Sequence, residues 1–291
     1  MTFEERLQQG GFMITSEVPP PKGIDVSELI GAADHLKGRV DALNITDSKG
    51  SVMAMSALAL GHLLQERGFE LILNVSCRDR NRLALQADLL GAAALGIASI
   101  LVVTGDYASM GDHPQTKPVF DLDCIQLLQA IQKLEKGKDM GGNELRGVPR
   151  FFAGATVSPT PGTEAALELQ LLKMEKKIAA GAKFFQTQPV FDPRAFERFM
   201  KRASGFGVPI LAGVLPLKSA SMGRFLNKNM PGISVPEALI EEIGNASDRV
   251  KAGLGICARI IQELKNLCQG VHLVPAGWER KVPAILDAAK L

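Results

Sequence analysis

Cysteine is scarce in this sequence, which has only Cys77, Cys124, Cys257 and Cys268 among its 291 residues. No two of these thiols have the spacing of a CxxC metal pair, and four of them in a chain of this length do not make a disulfide framework. This cysteine usage is typical of a reduced compartment. We therefore expect a cytoplasmic protein.

The sequence also lacks a strong charge of one sign and a long apolar run. Its 33 lysines and arginines nearly balance its 31 aspartates and glutamates, so the formal net charge is +2. Glu4 and Glu5 stand where a signal peptide would have an apolar core. The longest uncharged run, residues 89–105, has 17 residues and is shorter than the ~20 apolar residues of a membrane helix. We expect neither nucleic-acid nor membrane partners.

Common cofactor motifs are missing as well. The four histidines show no HExxH or other paired metal spacing, so we expect no metal site. No GxxxxGK[ST] loop is present, which argues against a P-loop nucleotide hydrolase. One Trp and one Tyr are too few for a nucleic-acid stacking platform.

What the sequence does contain is a regular alternation of short apolar runs with longer helical stretches. Several runs are continuously apolar, as expected for strands that are buried on both faces. The predicted strands are residues 12–18, 40–46, 70–76, 99–104, 151–157, 183–187, 209–214 and 271–274. Eight strand–helix units at roughly 36 residues each match the size of a barrel repeat. We predict a single (β/α)8 TIM barrel over residues 1–291.

A doubly wound open sheet is the alternative fold. Its glycine-rich dinucleotide fingerprint is absent after the first strand, where the chain reads EVPPPKG. The predicted helices are residues 25–36, 58–68, 79–95, 163–180, 192–203 and 236–267. The polar, glycine-rich residues 133–147 are predicted to form a mobile surface loop on the barrel face away from chemistry, with partner docking as the alternative.

In a barrel, functional side chains are expected at the carboxyl ends of the strands. Polar residues occupy those positions in six of the eight units: Glu17; Thr46 and Asp47; Asn74 and Ser76; Thr104, Gly105 and Asp106; Ser158; and Gln186, Thr187 and Gln188. The predicted fold therefore places polar side chains, carboxylates among them, around the opening at the carboxyl ends of the strands, which we call the mouth of the barrel.

Glu17 and Asp106 are the carboxylates of most interest. Glu17 follows an apolar run and precedes three prolines, so stiff backbone holds it, and apolar neighbours raise the pKa of a carboxyl, which suits a general acid. A solvated or salt-bridged strand-end Glu is the alternative. Asp106 follows Gly105, which allows close backbone approach to a ligand, although a capping role is equally compatible. The amide of Gln188 can both donate and accept, and a lone Gln is usually structural.

The strand-end motifs, taken in order, resemble the methylenetetrahydrofolate reductase family. Single motifs are weak, but the ordered set is specific and runs from the first strand to the seventh. The matching segments are SEVPPP at 16–21, NITDS at 44–48, NVSCRDRN at 74–81, VVTGD at 102–106, GATVSP at 154–159, KKIAAGAKFFQTQPVFD at 176–192 and AGVLPL at 212–217.

This resemblance implies a flavin-binding barrel that reduces 5,10-methylenetetrahydrofolate to 5-methyltetrahydrofolate, with FAD as the cofactor and FMN as the alternative. It implies that Glu17 and Asp106 are catalytic residues that also bind substrate, with Glu17 as the acid and Asp106 beside the flavin and in contact with folate, and that Gln188 binds substrate. Arg280 falls near another substrate-binding position. The implied cofactor-binding positions are Thr46, Asn74, Ser76, Thr104, Gly105, Asp106, Thr156 and Lys177.

The chain departs from the family members that use NADH or NADPH. Those members have histidine where this chain has Asn74, arginine where it has Thr104 and an aromatic residue at Thr156. They also carry a phenylalanine that stacks on nicotinamide near residues 217–221, which read LKSAS here. The chain looks closer to a short type from anaerobes that works with a small partner subunit.

We therefore expect electrons from NAD(P)H or from a partner electron-transfer subunit, and an oligomer or hetero-complex. Two functions of other classes stay open. One is a pterin-binding methyltransferase barrel without flavin, and the other is a non-catalytic scaffold subunit.

Overall fold

The computed structural model describes residues 1–230 and 232–291. Eight parallel strands form a closed barrel in chain order, and the last strand is hydrogen-bonded to the first. The strands are β1 Met13–Val18, β2 Ala42–Ile45, β3 Leu71–Ser76, β4 Ser99–Val103, β5 Phe152–Val157, β6 Phe184–Pro189, β7 Ile210–Val214 and β8 Gly270–Leu273. The predicted (β/α)8 barrel is confirmed, and the closure between β8 and β1 excludes the open sheet.

Helices surround the barrel and connect its strands. They are α1 Phe3–Gln8, α2 Ser27–Asp34, α3 Ala57–Gln65, α4 Arg82–Ala94, α5 Cys124–Glu135, α6 Glu164–Ala179, α7 Pro193–Ala203, α8 Ala220–Asn229, α9 Glu237–Asn245, α10 Arg249–Leu264 and α11 Val282–Ala288. The stretch 236–267, predicted as one helix, is divided into α9 and α10. Ala246 is extended there, and the Asp248 side chain caps α10 by accepting a hydrogen bond from the Lys251 N–H.

The amino-terminal end of the barrel is filled by apolar side chains. Phe3 and Leu7 of α1 close this end against buried residues of the strands. The rings of Phe152 and Phe184 stack there with centroids 5.2 Å apart. Gly154 leaves the space for this stack, because a Cβ at Gly154 would collide with the Phe184 ring.

The barrel interior becomes polar toward the carboxyl ends of the strands. Asn44 of β2 and Gln186 of β6 exchange side-chain hydrogen bonds of 3.0 and 2.9 Å across the barrel. The Gln186 amide also donates to Thr15 Oγ1 at 3.4 Å, and Thr15 Oγ1 lies 3.0 Å from His272 Nδ1. Buried polar groups need such partners, so this network ties four strands together beneath the mouth.

Residues 133–147 lead from the end of α5 to β5, on the amino-terminal side of the barrel as predicted. The segment begins as the end of α5 and then forms a short hairpin with an antiparallel bridge between Lys138 and Glu144. The Met140 N–H donates to Gln86 Oε1 at 2.7 Å, which anchors the hairpin to α4. None of the helices in the described ranges is both long and apolar enough to cross a membrane.

Candidate active site

Glu17 lies near the carboxyl end of β1 and contacts charged groups from two other parts of the barrel. Lys49, in the segment after β2, forms an ion pair with Oε2 of Glu17. His272 of β8 approaches the other oxygen, with Nε2 3.7 Å from Oε1. The Glu17 side chain is only 14% exposed, so these two residues dominate its surroundings.

The ionisation of Glu17 differs from the sequence-based expectation. Burial by itself raises the pKa of Glu17, but the charges and hydrogen bonds of Lys49 and His272 lower it to about 2. The expected rise in pKa is therefore wrong for this arrangement. The apolar residues next to Glu17 in the sequence do not decide its pKa, because a lysine and a histidine from distant segments face the carboxylate.

Asp106 follows β4 and is joined to Glu17 through one short segment. The Gly50 N–H donates a hydrogen bond of 2.8 Å to Oδ2 of Asp106, and the preceding residue, Lys49, pairs with Glu17. Residues 48–51 thus lie between the two carboxylates, and we call them the mouth segment. The two predicted catalytic residues therefore lie near each other, because Glu17 contacts Lys49 and Asp106 contacts the next residue, Gly50.

Arg78 holds the mouth segment against the loop after β4. Its Nη2 donates to the Ser48 carbonyl at 3.1 Å, and its Nη1 donates to the Asp106 carbonyl at 3.2 Å. The Arg78 side chain is 2% exposed and also pairs with Asp79. Hydrogen bonding to Asp79 raises the pKa of Arg78, so a permanently charged, buried guanidinium fixes both loops.

Gly105 and Ser76 shape the same corner of the mouth. Gly105 has φ +93°, a conformation that L side chains rarely adopt, and a Cβ there would collide with Ser76 Oγ. The same Cβ would lie 2.8 Å from Cβ of Arg78. Ser76 is buried, and its Oγ accepts a hydrogen bond from the Arg78 N–H at 3.2 Å. The close approach that Gly105 permits in this structure is to protein groups, and its contact with a ligand stays a prediction.

Thr46 and Asn74 lie at adjacent strand ends on the β2–β3 side. Thr46 is buried, and its Oγ1 has no hydrogen-bond partner in the part of the chain that the structure describes. Asn74 accepts a hydrogen bond of 3.2 Å from the Asn44 side chain and so belongs to the network beneath the mouth. Buried polar groups usually have a partner, so the Thr46 hydroxyl is an exception among the described residues.

The predicted cofactor residues on the β4–β5 side lie near a pair of thiols. Lys177 donates to the Thr156 carbonyl at 2.7 Å, and burial lowers the pKa of Lys177. Thr104 Oγ1 lies 3.1 Å from Cys124 Sγ. Cys77 beside it lowers the pKa of Cys124. Sequence spacing does not indicate this thiol pair, because Cys77 follows β3 and Cys124 begins α5, and only the folded barrel makes them neighbours.

The predicted substrate residues Gln188 and Arg280 lie in different places. Gln188 is half-buried and is the next-to-last residue of β6, near the mouth of the barrel. Arg280 is exposed in the 3₁₀ helix Glu279–Lys281 and lines a cavity of about 520 Å³ between α2 and the chain after β8. The described lining of that cavity includes neither Glu17 nor Asp106, so the structure does not place Arg280 with them.

Comparison with known proteins identifies the family. The family model described as methylenetetrahydrofolate reductase matches residues 2–290. The chain belongs to the methylenetetrahydrofolate reductase family. Among its relatives, methylenetetrahydrofolate reductase 2 of Schizosaccharomyces pombe is 24% identical over 256 residues, which are 83% of this chain and 39% of that protein. The 5,10-methylenetetrahydrofolate reductase of Pectobacterium carotovorum is 25% identical over 217 residues, which are 72% of this chain and 66% of that protein.

The chain thus spans about two fifths of the yeast relative and about two thirds of the bacterial one. A solved structure shares the fold of this methylenetetrahydrofolate reductase family member. It is an uncharacterized protein from Clostridium thermocellum that binds two copies of 5-methyl-5,6,7,8-tetrahydrofolic acid. The TM-score is 0.65 over 99% of this chain and 97% of that chain, at 18% sequence identity.

Several residues at the mouth of this barrel were not predicted from the sequence. Lys49 and Arg78 are basic residues just after strands β2 and β3, and nothing in their local sequence separates them from surface lysines and arginines. His272 was considered only as a metal ligand. His272 lies in β8, and alternate residues of a strand face the same side, so His272 faces the barrel interior together with Gly270. This alternation could have indicated His272 as an interior residue. No cluster of three or more metal-binding side chains occurs in residues 1–230 and 232–291.

Proposed function

We propose that this chain reduces 5,10-methylenetetrahydrofolate to 5-methyltetrahydrofolate in a flavin-dependent reaction, with Glu17 as the general acid. The observation that carries the proposal is the pair of carboxylates, Glu17 and Asp106, on either side of the mouth segment. Family membership supports the reaction. The fold likeness to a protein that binds 5-methyltetrahydrofolic acid supports folate as the ligand.

The residues around the mouth fit a flavin. Thr46 offers a buried hydroxyl without a partner among the described residues, which is a group that a bound polar ring would satisfy. At the end of β4, Thr104 is exposed and Gly105 is half-buried. The positions that would hold the flavin are Thr46, Asn74, Ser76, Thr104, Gly105, Asp106, Thr156 and Lys177. These assignments follow the family resemblance, and FAD is the form we propose.

The protein side of the mechanism uses three polar groups. Asp106 accepts hydrogen bonds from the N–H donors of the pterin ring, and the Gln188 amide donates to and accepts from the same ring. Glu17 donates a proton to N10 of the folate, so that the bridge between N5 and N10 opens to an iminium at N5. A reduced flavin, when bound, supplies the hydride that converts this carbon to a methyl group.

The first experiment is to purify the protein and record its visible spectrum. The proposal expects a yellow protein whose flavin absorbance is lost on reduction with dithionite and restored by anaerobic addition of 5,10-methylenetetrahydrofolate, with 5-methyltetrahydrofolate as the product. A colourless protein that binds folate and transfers a methyl group would instead indicate a methyltransferase. A protein that binds neither flavin nor folate would indicate a scaffold subunit.

A further inference from the structure

The mouth segment presents two hydrogen-bond donors to the two carboxylates. The Lys49 ammonium contacts Glu17, and the Gly50 N–H contacts Asp106 Oδ2 at 2.8 Å. In the proposed reaction, the same carboxylates would face N10 and the N–H groups of the pterin ring. The segment therefore occupies both carboxylates before substrate binds: it gives Asp106 a donor of the kind that the pterin ring would bring, and it gives Glu17 a positive charge where N10 would later accept a proton.

The backbone of the mouth segment is held in an unusual conformation by contacts outside the segment. Ser48, Gly50 and Ser51 have φ values of 45°, 65° and 59°, and two of these residues carry side chains that disfavour this region. Arg78 donates to the Ser48 carbonyl. Gly111 approaches Ser51 so closely that a Cβ at Gly111 would collide with the Ser51 carbonyl oxygen. Such a conformation persists only where the surroundings hold it.

The two partners of the ion pair differ in their access to solvent. The Lys49 side chain is 47% exposed, whereas the Glu17 side chain is 14% exposed. The ammonium can therefore swing into water, while the carboxylate stays in the barrel. The charged or titratable groups that face Glu17 in the described chain are Lys49 from the mouth segment and His272 from β8. Without Lys49 beside it, a carboxyl in this buried place binds a proton far more readily.

We propose that Lys49 is a positioning residue that keeps Glu17 ionised until 5,10-methylenetetrahydrofolate displaces the Lys49 ammonium from it, so that Glu17 takes up its proton only with substrate in place. This inference rests on the proposed function, because it states when in that reaction Glu17 becomes protonated. The proton comes from solvent and passes through Glu17 to N10. Glu17 then returns to a carboxylate and pairs again with Lys49, whose ammonium keeps its protons throughout.

The test compares Lys49→Met, which removes the charge, with Lys49→Arg, which keeps it. Lys22→Met is the matched control, because Lys22 also forms an ion pair from one mouth loop to another, with Asp112. The first readout is the titration of the Glu17 carboxyl by ¹³C NMR, with the signal assigned from Glu17→Gln. Removing an opposite charge next to a carboxylate shifts its titration by about 1–3 pH units. We expect an upward shift of that size in Lys49→Met, and the wild-type midpoint in Lys49→Arg and Lys22→Met.

The second readout is the reactivity of Lys49 toward acylation by an N-hydroxysuccinimide ester, measured by mass spectrometry with and without 5,10-methylenetetrahydrofolate. We expect the folate to increase labelling of Lys49 and to leave labelling of the exposed Lys290 unchanged. An unchanged Glu17 titration in Lys49→Met, or unchanged Lys49 labelling in protein that binds and reduces the folate, overturns this inference alone. Failure of the wild type to bind or reduce the folate overturns the proposed function, and the inference with it.

Discussion

Nε2 of His272 lies 3.7 Å from Oε1 of Glu17, while Nδ1 of the same ring lies 3.0 Å from Thr15 Oγ1. The imidazole therefore connects the candidate acid at the mouth to the buried polar network of the barrel. Nδ1 is within hydrogen-bond distance of Thr15 Oγ1, and Nε2 faces the carboxylate of Glu17. This contact and the Lys49 ion pair make Glu17 part of the protein's charge balance as well as of its proposed chemistry.

The first prediction concerns stability in acid. The pKa of Glu17 is lowered from 4.5 to about 2 in the folded protein, so its carboxylate contributes stability above the unfolded pKa, and this contribution is lost as the pH falls toward 2. Between neutral pH and about pH 3, the wild type should lose about 2 kcal/mol of unfolding free energy that Glu17→Gln does not lose. Urea unfolding across this pH range measures the difference.

The control for that measurement is Glu197→Gln, which removes an exposed carboxylate paired with Lys201 within α7. Its pH dependence should match that of the wild type, since exposed pairs of this kind contribute little. Parallel pH profiles for the wild type and Glu17→Gln would show that Lys49 and His272 do not hold Glu17 ionised.

The second prediction concerns the two half-reactions of Glu17→Gln. Reduction of the flavin requires no proton for N10, whereas reduction of the folate does. The variant should stay yellow and accept electrons at near the normal rate, while its reoxidation by 5,10-methylenetetrahydrofolate falls by at least ~10²-fold. Stopped-flow spectroscopy separates the two steps. A drop of less than tenfold would mean that another group or water is the acid, and loss of flavin would mean that Glu17 is structural.

The third prediction concerns Asp106→Asn. The variant keeps an oxygen that accepts from the Gly50 N–H but removes the negative charge at the mouth. Folate affinity should fall by roughly tenfold or more, because a hydrogen bond to a charged group is worth about 1.5–3 kcal/mol. The flavin midpoint potential should rise, since a nearby carboxylate disfavours an anionic reduced ring. Redox titration and folate binding are the measurements, and no change in either would reduce Asp106 to a partner of the mouth segment.

The fourth prediction concerns the electron donor. Residues 217–221 offer no aromatic ring, and the nearby Trp278 ring is covered by Lys218, with Nζ 5.6 Å from the ring centroid. NADH should therefore reduce the flavin of the isolated chain much more slowly than a small reducing dye does. Anaerobic stopped-flow mixing with each donor tests this expectation. Reduction by NADH as fast as turnover would contradict it.

The fifth prediction tests packing at the closed end of the barrel. Gly154→Ala puts a methyl group into the Phe184 ring, so the free energy of unfolding should fall by about 1–3 kcal/mol. Gly255→Ala is the matched control, because the added Cβ in α10 would meet no atom of the described residues within 4 Å beyond its own stretch of helix. Helix propensity should stabilise this variant by up to about 1 kcal/mol. Thermal unfolding of both variants is the measurement. Equal stability of the two would show that the Phe184 ring moves aside without cost.

The sequence by itself determined the fold and the end of the barrel at which the candidate site lies. Strands buried on both faces appear as continuous apolar runs, and a parallel strand needs a helical crossover, so the alternation alone predicted the eight strands within a few residues. The rule that parallel strands present their carboxyl ends at one face then brought Glu17 and Asp106 to a single mouth. Helices α1, α5, α8 and α11 and the division into α9 and α10 are absent from the predicted helices. The short ones among them depend on caps and tertiary contacts more than on periodicity.

Only the tertiary structure decided what surrounds those carboxylates. Lys49 is 32 residues from Glu17 along the chain, and His272 reaches it only because β8 closes on β1. A pKa depends on charges within a few ångströms in space, whereas the sequence shows only neighbours along the chain. For that reason the apolar residues beside Glu17 suggested a raised pKa, whereas Lys49 and His272, brought to it by the fold, produce a lowered one.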